Sequence, residues 1–578
     1  MLKRYLPILT WLPHYNRRLC AADLLAGVIV TIMVIPQSLA YAILAGLPAV
    51  VGLYASILPL LAYTLLGTSR TLAVGPVAIV ALMTGAALAG VATPGTPEYL
   101  QAALVLSLLS GLMLVAMGLA RLGFLANFLS HPVISGFLTA SGLLIAAGQA
   151  GHLLGIEGGG YTLLAQLLAL AGNLDQTHWP TLAIGGGSLL FLVAVRRHGK
   201  ATLQRLGLPA NLAGLLTRSG PVLAVVVTTL VTWRLGLDQA GVAVIGEIPR
   251  GLPPLTLPGF DSALWRALLV PALLISVVGF VESVSMAQML AAKRRERLSP
   301  NQELLGLGGA NLTAAFSAGM PVTGGLSRTV INYDAGARTP MAGVFAALGI
   351  GLVTLALTPW LHYLPIATLA ATITVAILTL VDLPMLRQTW RYSRSDFAAM
   401  AVTILLTLTE GVELGILAGV ALSIGLFLYR TSRPHCALVG RVPGTEHFRN
   451  PERHEVETLG HVAFLRVDES LYFANARYLE DTLLELVAAR PGLEHVVLIC
   501  SAVNLIDASA LESLDAINAR LKEAEVTLHL AEVKGPVMDR LKQSDFLDEL
   551  GGRVFLSTYA AWSELKGRGA EHQDAAAG

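Results

Sequence analysis

The strongest constraint in this 578-residue chain is a succession of long runs that carry almost no charge. A helix crossing about 30 Å of hydrocarbon needs about 20 apolar residues. Runs of that kind fall near 24–45, 49–66, 72–91, 99–119, 131–150, 180–195, 219–236, 267–291, 303–317, 324–337, 341–359, 366–383, 396–411 and 413–430. The length criterion gives about fourteen crossings. A further run, 160–173, is too short and reads as an interfacial helix. Composition agrees: 54% of residues are hydrophobic and 13% charged, whereas a soluble chain carries about 25% charge. The 57 glycines suit helices that must approach closely where lipid supplies no drive between them. These features set aside a large soluble enzyme. The net charge of +1 is uninformative, but no basic stripe with interleaved aromatics marks a nucleic-acid partner.

Lys and Arg set the orientation. They cluster at 17–18, 121, 196–205, 293–297, 387–394 and 430–433, on alternate loops, while 92–98, 172–179 and 360–365 have none. The positive-inside rule then places both termini in the cytoplasm of a multi-pass inner (plasma) membrane protein. The long loop 237–265 falls outside despite Arg250; long loops obey the rule weakly. Residues 1–23, with Lys3, Arg4, Arg17 and Arg18 but no cleavage pattern, read as a retained cytoplasmic segment.

Past residue 440 the texture changes. The β-rich runs 462–468, 495–501 and 526–532 alternate with helical patterns at 477–490, 509–524 and 536–545, which suggests a small soluble α/β domain. The chain therefore divides into a cytoplasmic segment 1–23, a transmembrane region 24–433, an α/β domain 434–566 and a disordered tail 567–578. Cys20, Cys436 and Cys500 are widely spaced, form no disulfide or metal pattern and read as inert thiols.

Two membrane segments are too short and Gly-rich for ordinary spans. One begins Leu72-Ala73-Val74-Gly75-Pro76, the other Pro321-Val322-Thr323-Gly324-Gly325-Leu326-Ser327-Arg328. Each reads as extended backbone leading into a half-helix that starts in mid-membrane. A helix N-terminus presents unpaired N–H groups and about half a positive charge. Two such ends near the midplane would make an anion site without a lysine. They are the third and tenth spans, corresponding places in a seven-plus-seven inverted repeat. Two ordinary kinked helices are the alternative.

Polar residues inside the spans add to this. Gln37 and Tyr41 lie four apart on one helix face beside Pro36, and both can donate to an anion or make an interhelical contact. Arg328, at the second half-helix start, costs at least ~2.5 kcal/mol to insert and needs a partner. Glu282, sharing a face with Gly279 and Ser285, is the other conspicuous charge. It could load a proton alongside an anion, or form a permanent ion pair with Arg328.

At these residues the chain resembles the sulfate permease (SulP) family, bacterial counterparts of mammalian solute-carrier anion exchangers and plant sulfate transporters. The resemblance spans nearly the whole length. It rests on Ile35-Pro36-Gln37-Ser38-Leu39-Ala40-Tyr41-Ala42, Ala73-Val74-Gly75-Pro76, Gly324-Gly325-Leu326-Ser327-Arg328-Thr329 and the C-terminal domain. It implies fourteen transmembrane helices in 7+7 inverted repeats, like the nucleobase-transporter fold. Spans 1–4 and 8–11 would form a core that moves against a gate of spans 5–7 and 12–14. It further implies a homodimer and a cytoplasmic STAS domain. Carried over, Gln37, Tyr41, Val74, Gly75, Ser327 and Arg328 are substrate-binding candidates, and Glu282 the proton-coupling one. Sodium-coupled bicarbonate relatives have an Asp followed four residues later by a hydroxyl; here Glu282 and Met286 stand there, which favours protons. The resemblance also makes Ser509 a candidate for regulatory phosphorylation by way of a STAS partner, but Ser509-Ala510-Leu511-Glu512 is also a capping box, and capping is the favoured role.

No ATP-binding loop, metal-ligand cluster or nucleophile elbow appears. The expectation is a transporter, not an enzyme, without cofactor or metal. Its leading form is proton-coupled sulfate uptake by an elevator-type mechanism. The alternatives are an uncoupled exchanger or channel, a carrier of bicarbonate or C4-dicarboxylate, and a non-transporting sensor.

Overall fold

A computed structural model of the chain describes residues 5–576 except 128–129, 157, 161, 210–212, 215, 218, 247–248, 250 and 357. Lys3, Arg4 and Arg250, which bear on the orientation, lie outside the described residues. The chain forms two compact units, Met1–Ser423 and Ile424–Gly578, with the boundary inside the helix Val412–Ser432.

Each of the fourteen apolar runs contains a helix. Among the described residues, eight helices are long and apolar enough to cross a membrane, from Arg17–Leu44 to Val412–Ser432. Other runs hold shorter helices, among them Ala78–Ala89, Gly220–Leu235 and Met341–Ala356. Leu190, Leu352 and Leu405 are 73%, 67% and 60% exposed. Large apolar side chains so bare suit a surface bathed in lipid. The run 160–173 forms the helix Leu163–Gly172 with no buried residue, as an interfacial helix would. The first membrane helix, α1 (Arg17–Leu44), starts seven residues before the apolar run at 24. The Asn16 side chain caps it, accepting from the N–H groups of Arg18 and Leu19 at 3.1 Å each.

The site depends on two breaks in the helical pattern. Val74–Gly75 (β1) precedes the half-helix α2 (Ala78–Ala89), and Thr323–Gly324 (β2) precedes the half-helix α4 (Leu326–Asp334). The long helix α3 (Ser262–Arg294) packs beside both α2 and β2. β1 and β2 pair antiparallel, Val74 opposite Gly324 and Gly75 opposite Thr323. Non-helical backbone at this depth must find partners inside the protein. Gly324 N donates to Ser283 Oγ at 2.8 Å, and Thr323 Oγ1 donates to the Gly279 carbonyl at 2.7 Å. Asn311 bonds both polar groups of Val322, at 2.8 and 2.9 Å. Ala73 N donates to Thr329 Oγ1 at 3.2 Å, and Asn332 Nδ2 to the Thr71 carbonyl at 2.9 Å.

The C-terminal unit is built around a sheet of Cys436–Leu438 (β3), Val462–Val467 (β4), His495–Ile499 (β5), Thr527–Ala531 (β6) and Val554–Phe555 (β7). They lie in the order β3-β4-β5-β6-β7, the first pair antiparallel and the rest parallel. The strands read as continuous apolar runs because both faces are covered. Leu465, Leu498 and Leu528 pack on one side with Leu479 and Leu514. Phe464, Val497 and Ile499 pack on the other with Trp562 and Leu565. Burial pushes the Cys500 thiol up to about 12 and that of Cys436 up to about 11, Asp468 adding to the latter. Both stay protonated and inert at neutral pH.

Two expectations need revision. The helix Ala508–Glu523 (α5) is capped not by Ser509 but by Asp507, whose Oδ1 accepts from Ala510 N at 2.8 Å. The Asp507 carboxylate also accepts from Phe473 N at 3.0 Å, which leaves Ser509 exposed in the first turn. The helix Thr558–Ala576 also continues through most of the segment expected to be a disordered tail.

Candidate functional site

Pro36 lies inside α1, where it removes a backbone donor one residue before Gln37. Gln37 and Tyr41 are both buried and face the same cavity, one turn apart. That cavity has a volume of about 470 Å³. Its walls include Val77 and Ala78 at the start of α2, Gly325 to Arg328 at the start of α4, and Glu282 from α3. It extends past Thr372 and Thr379 to Arg196. Both half-helix N-termini thus contribute to one wall, as the sequence pattern suggests. Val74 and Gly75 do not line the cavity; they form the strand behind it. Gly75 still matters, because a Cβ there would collide with the Arg328 guanidinium. At Gly324 a Cβ would stand 2.9 Å from Ser283 Oγ.

Arg328 is 2% exposed and donates through Nη2 to the Pro76 carbonyl, which precedes α2. It forms no ion pair among the described residues. The permanent Arg328–Glu282 pair is therefore not formed: the guanidinium turns to a backbone carbonyl instead. Glu282 Oε2 and Gln37 Oε1 are buried without a hydrogen-bond partner. The hydroxyl of α3 that meets β2 belongs to Ser283, 2.7 Å from Thr323 Oγ1, whereas Ser285, expected on the Glu282 face, is exposed.

Sequence reasoning misses two further membrane-region carboxylates. Glu303 accepts from Tyr63 Oη at 2.6 Å, Thr68 N at 2.7 Å, Thr68 Oγ1 at 2.5 Å and Ser69 N at 3.1 Å. Asp23 accepts from Arg338 N at 2.6 Å and from Thr339 N and Oγ1 at 3.1 and 2.6 Å. A charge within or beside an apolar run is the available signal for both. Their oxygens are taken up in holding loops. Among the described residues, Glu282 alone offers a buried carboxylate oxygen with no partner. A buried cation without an ion pair, two half-helix ends and an unpartnered carboxyl converge on one cavity, an arrangement able to hold an anion and a proton together.

A family model described as the sulfate permease family matches residues 20–403, and one described as the STAS domain matches 453–561. The chloroplastic sulfate transporter 4.1 of Arabidopsis thaliana is 35% identical over 565 residues, covering 95% of this chain and 80% of that protein. A probable sulfate transporter of Mycobacterium tuberculosis is 34% identical over 561 residues, or 96% and 97% of the two chains. The fold is also that of a solved structure of the murine solute carrier 26 family member A9 anion transporter in the inward-facing state. The two agree with a TM-score of 0.88 at 24% identity over 97% of this chain and 94% of that one.

Proposed function

Because the chain belongs to the sulfate permease family, we propose that it is a proton-coupled sulfate importer working by elevator-type alternating access. Anion transport is the coarse activity of the family. The single observation that carries the finer reading is the pairing, in one cavity, of Arg328 without an ion pair and Glu282 with an unpartnered oxygen. An anion entering the cavity meets the guanidinium, the start of α4 at Ser327 and the Gln37–Tyr41 face. A proton on Glu282 would remove the carboxylate charge that otherwise repels it, so the two cargoes would help each other bind. Sulfate is the first candidate because the Arabidopsis and Mycobacterium relatives are called sulfate transporters. Bicarbonate and C4-dicarboxylates are the next, since a guanidinium and two helix ends accept each of them.

In this reading the core carrying α1–α4 slides against a gate that includes the Trp179–Arg205 and Ile366–Tyr392 helices. The protein works as a homodimer in the plasma membrane with both termini in the cytoplasm. Ser509, exposed in the first turn of α5, is a site where phosphorylation could change a STAS partner's grip. The test is uptake of labelled sulfate by proteoliposomes, with unlabelled bicarbonate, succinate and chloride as competitors. Saturable uptake that rises with an inward proton gradient supports the reading. Flux indifferent to that gradient would instead favour the uncoupled exchanger, and no flux at all the sensor.

A further inference from the structure

A second cavity, of about 330 Å³, lies away from the transport site. It is walled by Trp11 and His14 of the N-terminal segment, by Arg70 after the second span, by Arg294 and Glu296 at and just beyond the end of α3, and by Arg338 just beyond α4. In the count of fourteen runs, the N-terminal segment and the loops after the second, eighth and tenth runs fall on one membrane face, and the fold brings these distant stretches together.

Three guanidinium groups meet one carboxylate here. Arg70 Nη1 stands 3.5 Å from Glu296 Oε1, both partly exposed. Arg294 is held by neutral groups: Nη1 donates to the Ala337 carbonyl at 2.6 Å, and the guanidinium lies 4.4 Å from the Tyr333 ring centre. The Arg338 side chain makes no hydrogen bond or ion pair among the described residues. Asp23 lies behind it and offsets part of the charge, but its oxygens are engaged by Arg338 N and Thr339. Trp11 Nε1 is buried at the cavity without a partner and adds an uncharged donor. On the same segment Tyr5, Leu9 and Leu12 are exposed, as suits a stretch lying along the lipid interface.

Convergent arginines at a membrane face match the oxygens of a phosphate group. We propose that this cavity binds a phosphate group, carried by an anionic phospholipid headgroup or present as free phosphate, and so fastens the N-terminal segment to the membrane unit. Full-length protein in neutral detergent would be melted with added phosphatidylglycerol, with phosphatidylcholine, and with inorganic phosphate. Retained lipid would be counted by native mass spectrometry. Phosphatidylglycerol should raise the midpoint by about 2–4 °C over phosphatidylcholine, and Arg70→Gln/Arg338→Gln should lose that rise together with the retained lipid. A rise with inorganic phosphate that the double variant also loses supports the site with free phosphate as its source. Should the double variant fail to fold, Arg338→Gln, which breaks no side-chain bond, takes its place. No rise with either ligand, or a rise that survives the substitutions, overturns the proposal.

Discussion

In the C-terminal unit five strands share a sheet whose two faces are both buried, and the strands themselves are the core. In the membrane unit the strands that matter are two residues each, Val74–Gly75 against Thr323–Gly324, and they form a sheet of two strands only. They lead directly into the half-helices α2 and α4, whose N-termini face one cavity. The sheet is redundant, with many ladder bonds and two apolar faces. The membrane pair instead depends on single side chains such as Ser283, Thr323 and Asn311 to satisfy its backbone. In the sheet many contacts share the load, whereas in the membrane pair single side chains each satisfy a backbone group alone.

That contrast can be broken by substitution. The largest effect should come from Arg328→Gln, which removes the cation an anion would pair with in a buried setting. The loss is about 2–5 kcal/mol, or ~30-fold or more in apparent affinity, read as sulfate uptake by protein that still elutes as wild type. Leu498→Ala, in the middle of the sheet, should cost the C-terminal unit about 2–5 kcal/mol. Hydrogen exchange should then quicken across β4 to β6 while α1 and α3 keep their protection. Ser283→Ala should cost about 1–3 kcal/mol by stranding Gly324 N, and it should depress uptake more than it lowers the melting temperature. If it lowers both equally, the pair of short strands is ordinary structure. The smallest effect separates neighbours on α5. Asp507→Ala should destabilise the C-terminal unit by about 1 kcal/mol, whereas Ser509→Ala should change it by less than about 0.5 kcal/mol.

Much of this architecture can be read from the chain because its signals are local. Apolar runs, alternate basic loops and the two Gly-rich breaks depend on neighbouring residues, and every run holds a helix. The strand–helix alternation after 440 is equally visible, since a parallel sheet covered on both faces needs unbroken apolar strands. What stays hidden depends on distance in sequence. Glu303 and Asp23 bond loops more than 230 residues away, so nothing near them marks them as clamps. The same holds for Ser283 against Ser285: only the crossing of α3 over β2 decides which hydroxyl is used. The cap on α5 turns on where the helix starts: it begins at Ala508, so Asp507 caps it through Ala510 N and Ser509 already lies inside the first turn. In the cavity, Gln37, Tyr41, Glu282, Ser327 and Arg328 come together. Val74 and Gly75 stand behind the wall, because the half-helix begins only after Pro76 and Val77.

In the proposed coupling Glu282 carries the proton beside the anion held at Arg328. The most direct test of that coupling is sulfate uptake into proteoliposomes with and without an inward proton gradient, wild type against Glu282→Gln. The gradient should accelerate the wild type and leave the variant, which still binds sulfate, unmoved. A variant that responds to the gradient as the wild type does would contradict it.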